Sequence, residues 1–131
     1  MTTAQAYLKK AERSFQVADT LLKRGDADFA ASRAYYGYFY TAQALLLVHG
    51  VPRLSRHGQL LAQYGLHFAK TQRLDPRFHQ LLIRAFKTRE LSDYEVGEMV
   101  DTEIVEELIS EGFKFLSAAT QYIEKTEDEA P

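Results

Sequence analysis

The stretch "SRAYYGYFYTAQALLLVHG", residues 32–50, places Tyr35, Tyr36, Tyr38 and Tyr40 within six positions and follows them with an aliphatic run. Its periodicity is helical, yet it has almost no polar side. At about 100° per residue, Tyr35, Tyr38, Phe39, Ala42, Leu46 and His49 share one broad face. Phe29, Tyr36, Tyr40 and Leu47 form a second stripe about 100° further round. A helix that is apolar on most of its circumference must be surrounded. One small bundle is expected to cover about half of it, which leaves the remainder for a second chain or a bound ligand. Tyrosine suits both, because a large apolar body carries a hydroxyl that must find a partner. Arg33 stands one turn before Tyr36 and two before Tyr40, so a cation and two phenols can line one groove. Such a groove suits a phosphate or a stacked base; the same arginine would also serve a salt bridge to a neighbouring helix.

The flanking segments are helical too, and none shows a sustained period of two. Leu8, Ala11, Phe15, Ala18 and Leu22 recur at steps of three and four, which predicts a first helix over about 3–24 that stops at Gly25. Asp26 or Asp28 is the expected cap of the second, over about 28–50. Gly50 and Pro52 break the chain, and a shorter third helix follows over about 57–70 with Leu61, Tyr64 and Phe68 inward. Asp75 and Pro76 open a fourth, carrying Phe78, Leu82 and Ala85 inward as far as Arg89. Asp101 or Thr102 caps the last, where Val105, Leu108, Phe115 and Tyr122 mark one face and Ile109, Phe113, Leu116 and Ile123 a second. Leu8, Phe15, Leu22, Phe39, Leu46, Leu82 and Phe115 are the expected core. The fold class is therefore all-α, an antiparallel bundle of four long helices plus one short helix.

A chain of 131 residues with 46% hydrophobic content can close one core unaided. One domain is expected over 1–125, with a disordered acidic tail over 126–131. The absence of cysteine removes disulfides, thiolate nucleophiles and cysteine-type zinc sites together. No histidine pair has metal-ligand spacing, so neither metal nor cofactor is expected. The longest apolar run, Ala44 to Val48, is too short for a bilayer, and the N-terminus is charged where a signal peptide is apolar. A cytoplasmic protein with no membrane partner is the resulting expectation. The net charge of −2 conceals an asymmetry: Val51–Arg89 carries a balance of +7 and Glu90–Pro131 one of −11. A basic surface for anions beside an acidic one is the expected consequence.

Three motifs in order carry a family resemblance: "SRAYYGYFYTAQALLLVHG", then "RHGQLLAQYGLHF", then "LIRAFKTRELSDYEVG" before an acidic amphipathic helix. Together, over about residues 4–124, they resemble the HEPN family (higher eukaryote and prokaryote nucleotide-binding) in its small stand-alone prokaryotic form. The resemblance implies a bundle of four or five helices that usually dimerises. It also implies binding of RNA or nucleotides, metal-independent ribonuclease activity in some members, and a minimal nucleotidyltransferase partner in a toxin–antitoxin pairing.

Catalytic members carry an Arg followed after four to six residues by His, a pair suited to assisting attack of a ribose 2′-hydroxyl on the adjacent phosphate. Here Arg89 occupies the matching place, but the corresponding positions hold Tyr94, Glu95 and Val96. Arg73 and His79 have suitable spacing, yet Arg73 precedes its helix and the match is discounted. "RELSDY" resembles instead the branch with an Arg-x-x-x-Asp-Tyr motif, in which Arg89 and Asp93 form an i, i+4 pair that serves either structure or function. His57 opens the second motif, at the start of the third helix, and is the histidine singled out; His49, His67 and His79 read as packing or surface residues. The candidate ligand-binding set is Arg33, Tyr36, Tyr40, His57, Arg89, Asp93 and Tyr94, with Arg89 and His57 the candidates for catalysis. Three classes of function remain open: a dimeric RNA- or nucleotide-binding module with a nucleotidyltransferase partner, an active ribonuclease toxin, and a non-catalytic helical scaffold.

Overall fold

A computed structural model describes residues 1–94 and 100–129. Its elements are α1 (Thr3–Lys23), α2 (Ala27–Val48), α3 (His57–Tyr64), a π-helical turn (Gly65–Ala69), α4 (Arg77–Tyr94) and α5 (Thr102–Glu129). Among the described residues there is no strand, as the periodicities require.

Local chemistry sets the boundaries. Thr2 and Gln5 form a reciprocal capping box on α1: Thr2 Oγ1 accepts from Gln5 N–H at 3.1 Å, and Gln5 Oε1 accepts from Thr2 N–H at 3.0 Å. Gly25 and Gly50 end the first two helices at φ of 93° and 80°, the left-handed region that glycine enters without penalty. Asp26 precedes α2, but its carboxylate accepts from Arg24 Nε at 2.6 Å and makes no cap hydrogen bond. Asp75 Oδ1 and Asp101 Oδ1 do cap α4 and α5, accepting from Arg77 N–H and Glu103 N–H, each at 2.9 Å. The expected third helix is a two-turn α-helix followed by a π turn. His79 fills the space beside Gly65 there and donates from Nε2 to Leu61 O at 3.1 Å. Helix α4 continues past Arg89 to Tyr94, and α5 continues through four positions of the expected tail, where Thr126 Oγ1 donates to Tyr122 O at 2.9 Å.

Helix α2 is the axis of the bundle, packed against α1, α3, α4 and α5. This corrects the expectation that one small bundle leaves about half of it uncovered. Tyr35, Tyr38, Phe39, Ala42 and Leu46 are buried within one chain, Tyr36 and Tyr40 are half-buried, and only Phe29, near the start, is widely exposed at 64%. Phe15 reaches from α1 to Gly37 of α2 and Gly112 of α5, where a Cβ at either position would overlap its ring. Its ring also meets Tyr38 edge-on at 5.4 Å, and the buried Tyr38 hydroxyl donates to Leu108 O at 2.7 Å. Burial pushes the Tyr38 phenol well above its ordinary range, so it stays a donor. Leu22 is half-buried rather than core because α1 ends one residue later, and Phe113 is 38% exposed on the rim of α5. Part of the charge asymmetry cancels inside the chain: Arg77 pairs with Glu111 at 3.2 Å and Arg84 with Glu107 at 3.4 Å, both across α4 and α5.

Candidate functional site

Tyr36 is the centre of the site, and two guanidinium groups from different helices lie against its ring. Arg33, one turn earlier on α2, places Cζ 4.9 Å from the ring centroid; Arg89, from α4, places Cζ at 5.3 Å. Arg89 also lies 5.7 Å from the ring of Tyr35. Its Nε is 3.0 Å from Asp93 Oδ2, but the carboxylate lies off the N–H axis. The contact is an ion pair without a hydrogen bond, and the buried Nε–H has no acceptor among the described residues.

His57, the first residue of α3, closes one side of this cluster. Its ring contacts Tyr35 at 5.4 Å, Phe39 at 5.4 Å, Phe86 at 5.7 Å and Tyr36 at 6.2 Å. Its Nδ1 is 2.6 Å from the Tyr35 hydroxyl. Burial raises the Tyr35 pKa, so the phenol keeps its proton. Burial, and then the Arg89 charge, lower the His57 pKa below the ordinary imidazole value, against a small opposing effect of Glu90. The bond that fits both directions is Tyr35 O–H donating to Nδ1 of a neutral imidazole, which assigns the ring proton to Nε2. An imidazole N–H and two guanidinium groups around one phenol make a donor-rich site that matches a phosphate oxygen.

Tyr40 extends the cluster along α2, 5.8 Å from Tyr36. On its other side Tyr7 of α1 stacks at 6.0 Å with an interplanar angle of 28°, and Lys10 Nζ sits 4.8 Å from its centroid. Six of the seven predicted binding residues are therefore linked: Arg33, Tyr36, Tyr40, His57, Arg89 and Asp93. Tyr94 is 84% exposed at the end of α4, and no described contact joins it to the rings. Glu95 and Val96, where a catalytic histidine would fall by spacing, lie outside the described residues. Tyr7, Lys10 and Arg53 escaped the sequence reading; the only signal for the first two was their i, i+3 spacing on α1, which an ordinary solvated face also shows. Among the described residues, no group of three or more His, Asp or Glu side chains is placed to hold a metal ion. None of the described helices is long and apolar enough to cross a membrane.

The chain belongs to the HEPN family, whose domain profile matches residues 4–124. It is 31% identical over 116 residues to a candidate toxin of Methanocaldococcus jannaschii, an alignment covering 88% of this chain and 78% of that one. A UPF0332 protein of Gloeobacter violaceus is 31% identical over 120 residues, with 91% and 94% covered. One of Thermotoga maritima is 33% identical over 118 residues, with 88% and 87% covered.

Proposed function

We propose that this chain is a cytoplasmic RNA- or nucleotide-binding HEPN protein that acts as a homodimer, its domain spanning residues 1–125, in a toxin–antitoxin-type module with a minimal nucleotidyltransferase. The observation that carries the binding reading is the Tyr36 ring flanked by Arg33 and Arg89, with a neutral His57 beside it. Toxin-like membership is supported by the Methanocaldococcus relative named as a candidate toxin. Family membership supports the homodimer, and the widely exposed Phe29 and the 43% exposed Leu91 are apolar side chains that such an interface would cover.

Phosphate recognition predicts salt-sensitive RNA binding, because each neutralised phosphate releases counterions. Arg33→Ala and Arg89→Ala should each weaken binding by about 1–3 kcal/mol, the scale of a hydrogen bond to a charged group, with the helical circular dichroism retained. Wild-type binding that ignores both substitutions would remove the reading. Sedimentation at micromolar concentration should give twice the 15.0 kDa chain mass; a monomer mass would remove the homodimer.

A metal-independent ribonuclease is the second reading, and one observation favours it. His57 and Arg89, distant in sequence, both lie against Tyr35 and Tyr36, so a His–Arg combination exists in space without the linear motif. Cleavage of RNA in excess chelator, abolished in Arg89→Ala and His57→Gln, would promote it; intact RNA would retain the binding-module reading.

A further inference from the structure

The seam between α1 and α2 continues beyond the Tyr36 cluster as a groove with no acidic lining residue among the described residues. Two concavities form it, one of about 250 Å³ and one of about 190 Å³, and they meet at Lys10. Tyr7, Tyr36, Tyr40, Arg53 and Ser55 line the first; Arg13, Val17 and Arg33 line the second. Antiparallel packing of two helices produces the order. Steps of three and four on α1, from Tyr7 through Lys10 to Arg13 and Val17, run against Tyr40, Tyr36 and Arg33 on α2. Ten residues of helix make the seam about 15 Å long. Rings dominate one end and cations the other.

We infer that this groove holds an unpaired polynucleotide strand, with a base stacked on the Tyr7–Tyr40 end and successive phosphates carried along Lys10, Arg13 and Arg33. The inference rests on the RNA-binding reading above and specifies the form of the nucleic acid. Shape decides against an enclosed mononucleotide: the two concavities are open and run on from one another as a groove about 15 Å long, not as a closed pocket. A duplex fits no better, since its base faces are stacked away and only edges and phosphates remain for contact. A single strand uses both halves, π-faces on the rings and phosphates on the cations. Lys10 and Arg33 rest on the Tyr40 and Tyr36 rings. An exposed cation–π contact is weaker than a stacked base, so an incoming base displaces the cation onto the neighbouring phosphate.

Fluorescence anisotropy with the full chain tests this, using an oligouridylate of about eight nucleotides, a DNA strand of the same length, an RNA duplex and uridine monophosphate. Both single strands should bind at least about fivefold more tightly than the duplex and the monophosphate, the lower end of one lost stacked base. The RNA and DNA arms show which backbone is preferred. Tyr40→Leu should reduce single-strand affinity by about fivefold or more and leave duplex binding unchanged. Lys10→Gln and Arg13→Gln alter exposed side chains and should retain the helical circular dichroism; each should weaken single-strand binding and flatten its salt dependence. Equal or tighter duplex binding overturns the inference, as does an acidic peptide that competes as well as the oligouridylate. Binding that depends on Arg89 but is indifferent to Tyr40, Lys10 and Arg13 defeats the groove alone. Absence of binding to every nucleic acid defeats the RNA reading together with it.

Discussion

Two tyrosine–histidine hydrogen bonds of the same length, 2.6 Å, are anchored on α2 about 21 Å apart along its axis: Tyr35 with His57, and Tyr122 with His49. Both histidines have a pKa lowered chiefly by burial. Their surroundings differ. His49 follows the last turn of α2 and lies against Phe68 at 4.7 Å and His67 at 5.9 Å, tying α2 to the π turn and α5. Arg73, and then His67, further lower its pKa. His57 instead borders a concavity and shares its tyrosines with Arg89. One chemical pair thus serves closure of the bundle at one end and presentation of a donor at the other; the environment decides which.

That contrast is most exposed to truncation. Tyr122→Ala removes a ring packed on His49 and Phe68 and should cost about 2–4 kcal/mol in chemical denaturation, while leaving nucleic-acid affinity of the folded fraction unchanged. Tyr36→Ala should show the opposite profile, with a smaller loss of stability and a clear loss of binding. Equal behaviour of the two variants would break the comparison. The next effect is the difference between Arg89→Ala, expected to lose about 1–3 kcal/mol of RNA binding, and His49→Gln, expected to lose none. Tyr35→Phe and Tyr122→Phe remove only a hydroxyl and should each lower stability by about 0.5–1.5 kcal/mol, showing that the two bonds are equivalent in strength.

The smallest expected effect is on pH dependence. Both folded-state histidine pKa values lie below the ordinary value near 6.5, so the unfolded chain binds more protons in the intervening window. Their contribution is present above about pH 6.5 and is lost as the pH falls through the folded values. Denaturation between about pH 7 and 5 should therefore show declining stability, and His49→Gln with His57→Gln should flatten the decline.

The bundle itself was legible because its signals are local. Gly25, Gly50, Asp75 and Asp101 mark helix ends through their own backbone or carboxylate chemistry, and Leu8, Phe15, Phe39, Leu82 and Phe115 repeat at helical spacing. The centrality of α2 was not. An all-apolar helix is equally consistent with a second chain and with four neighbours, and periodicity does not count neighbours. Arg33, Tyr36, Tyr40, His57, Arg89 and Asp93 were nameable because three motifs contain them. Tyr7, Lys10 and Arg13 were not, since on α1 they look like a solvated stripe and acquire meaning only from the antiparallel register with α2. Tyr94 shows the reverse case, a motif residue that no described contact brings to the cluster.

Phe15 wedged against Gly37 and Gly112 has a consequence for recognition. Backbone and a flat ring meet with no flexible side chain between them, so α1 and α2 can neither close together nor turn about their axes without overlap. The spacing of the seam is set by this contact, with Gly37 one turn after Arg33 on α2. The seam is therefore preorganised: whatever enters it orders the tips of Lys10, Arg13 and Arg33 but rearranges no helix, and the entropic penalty of association is confined to a few rotamers.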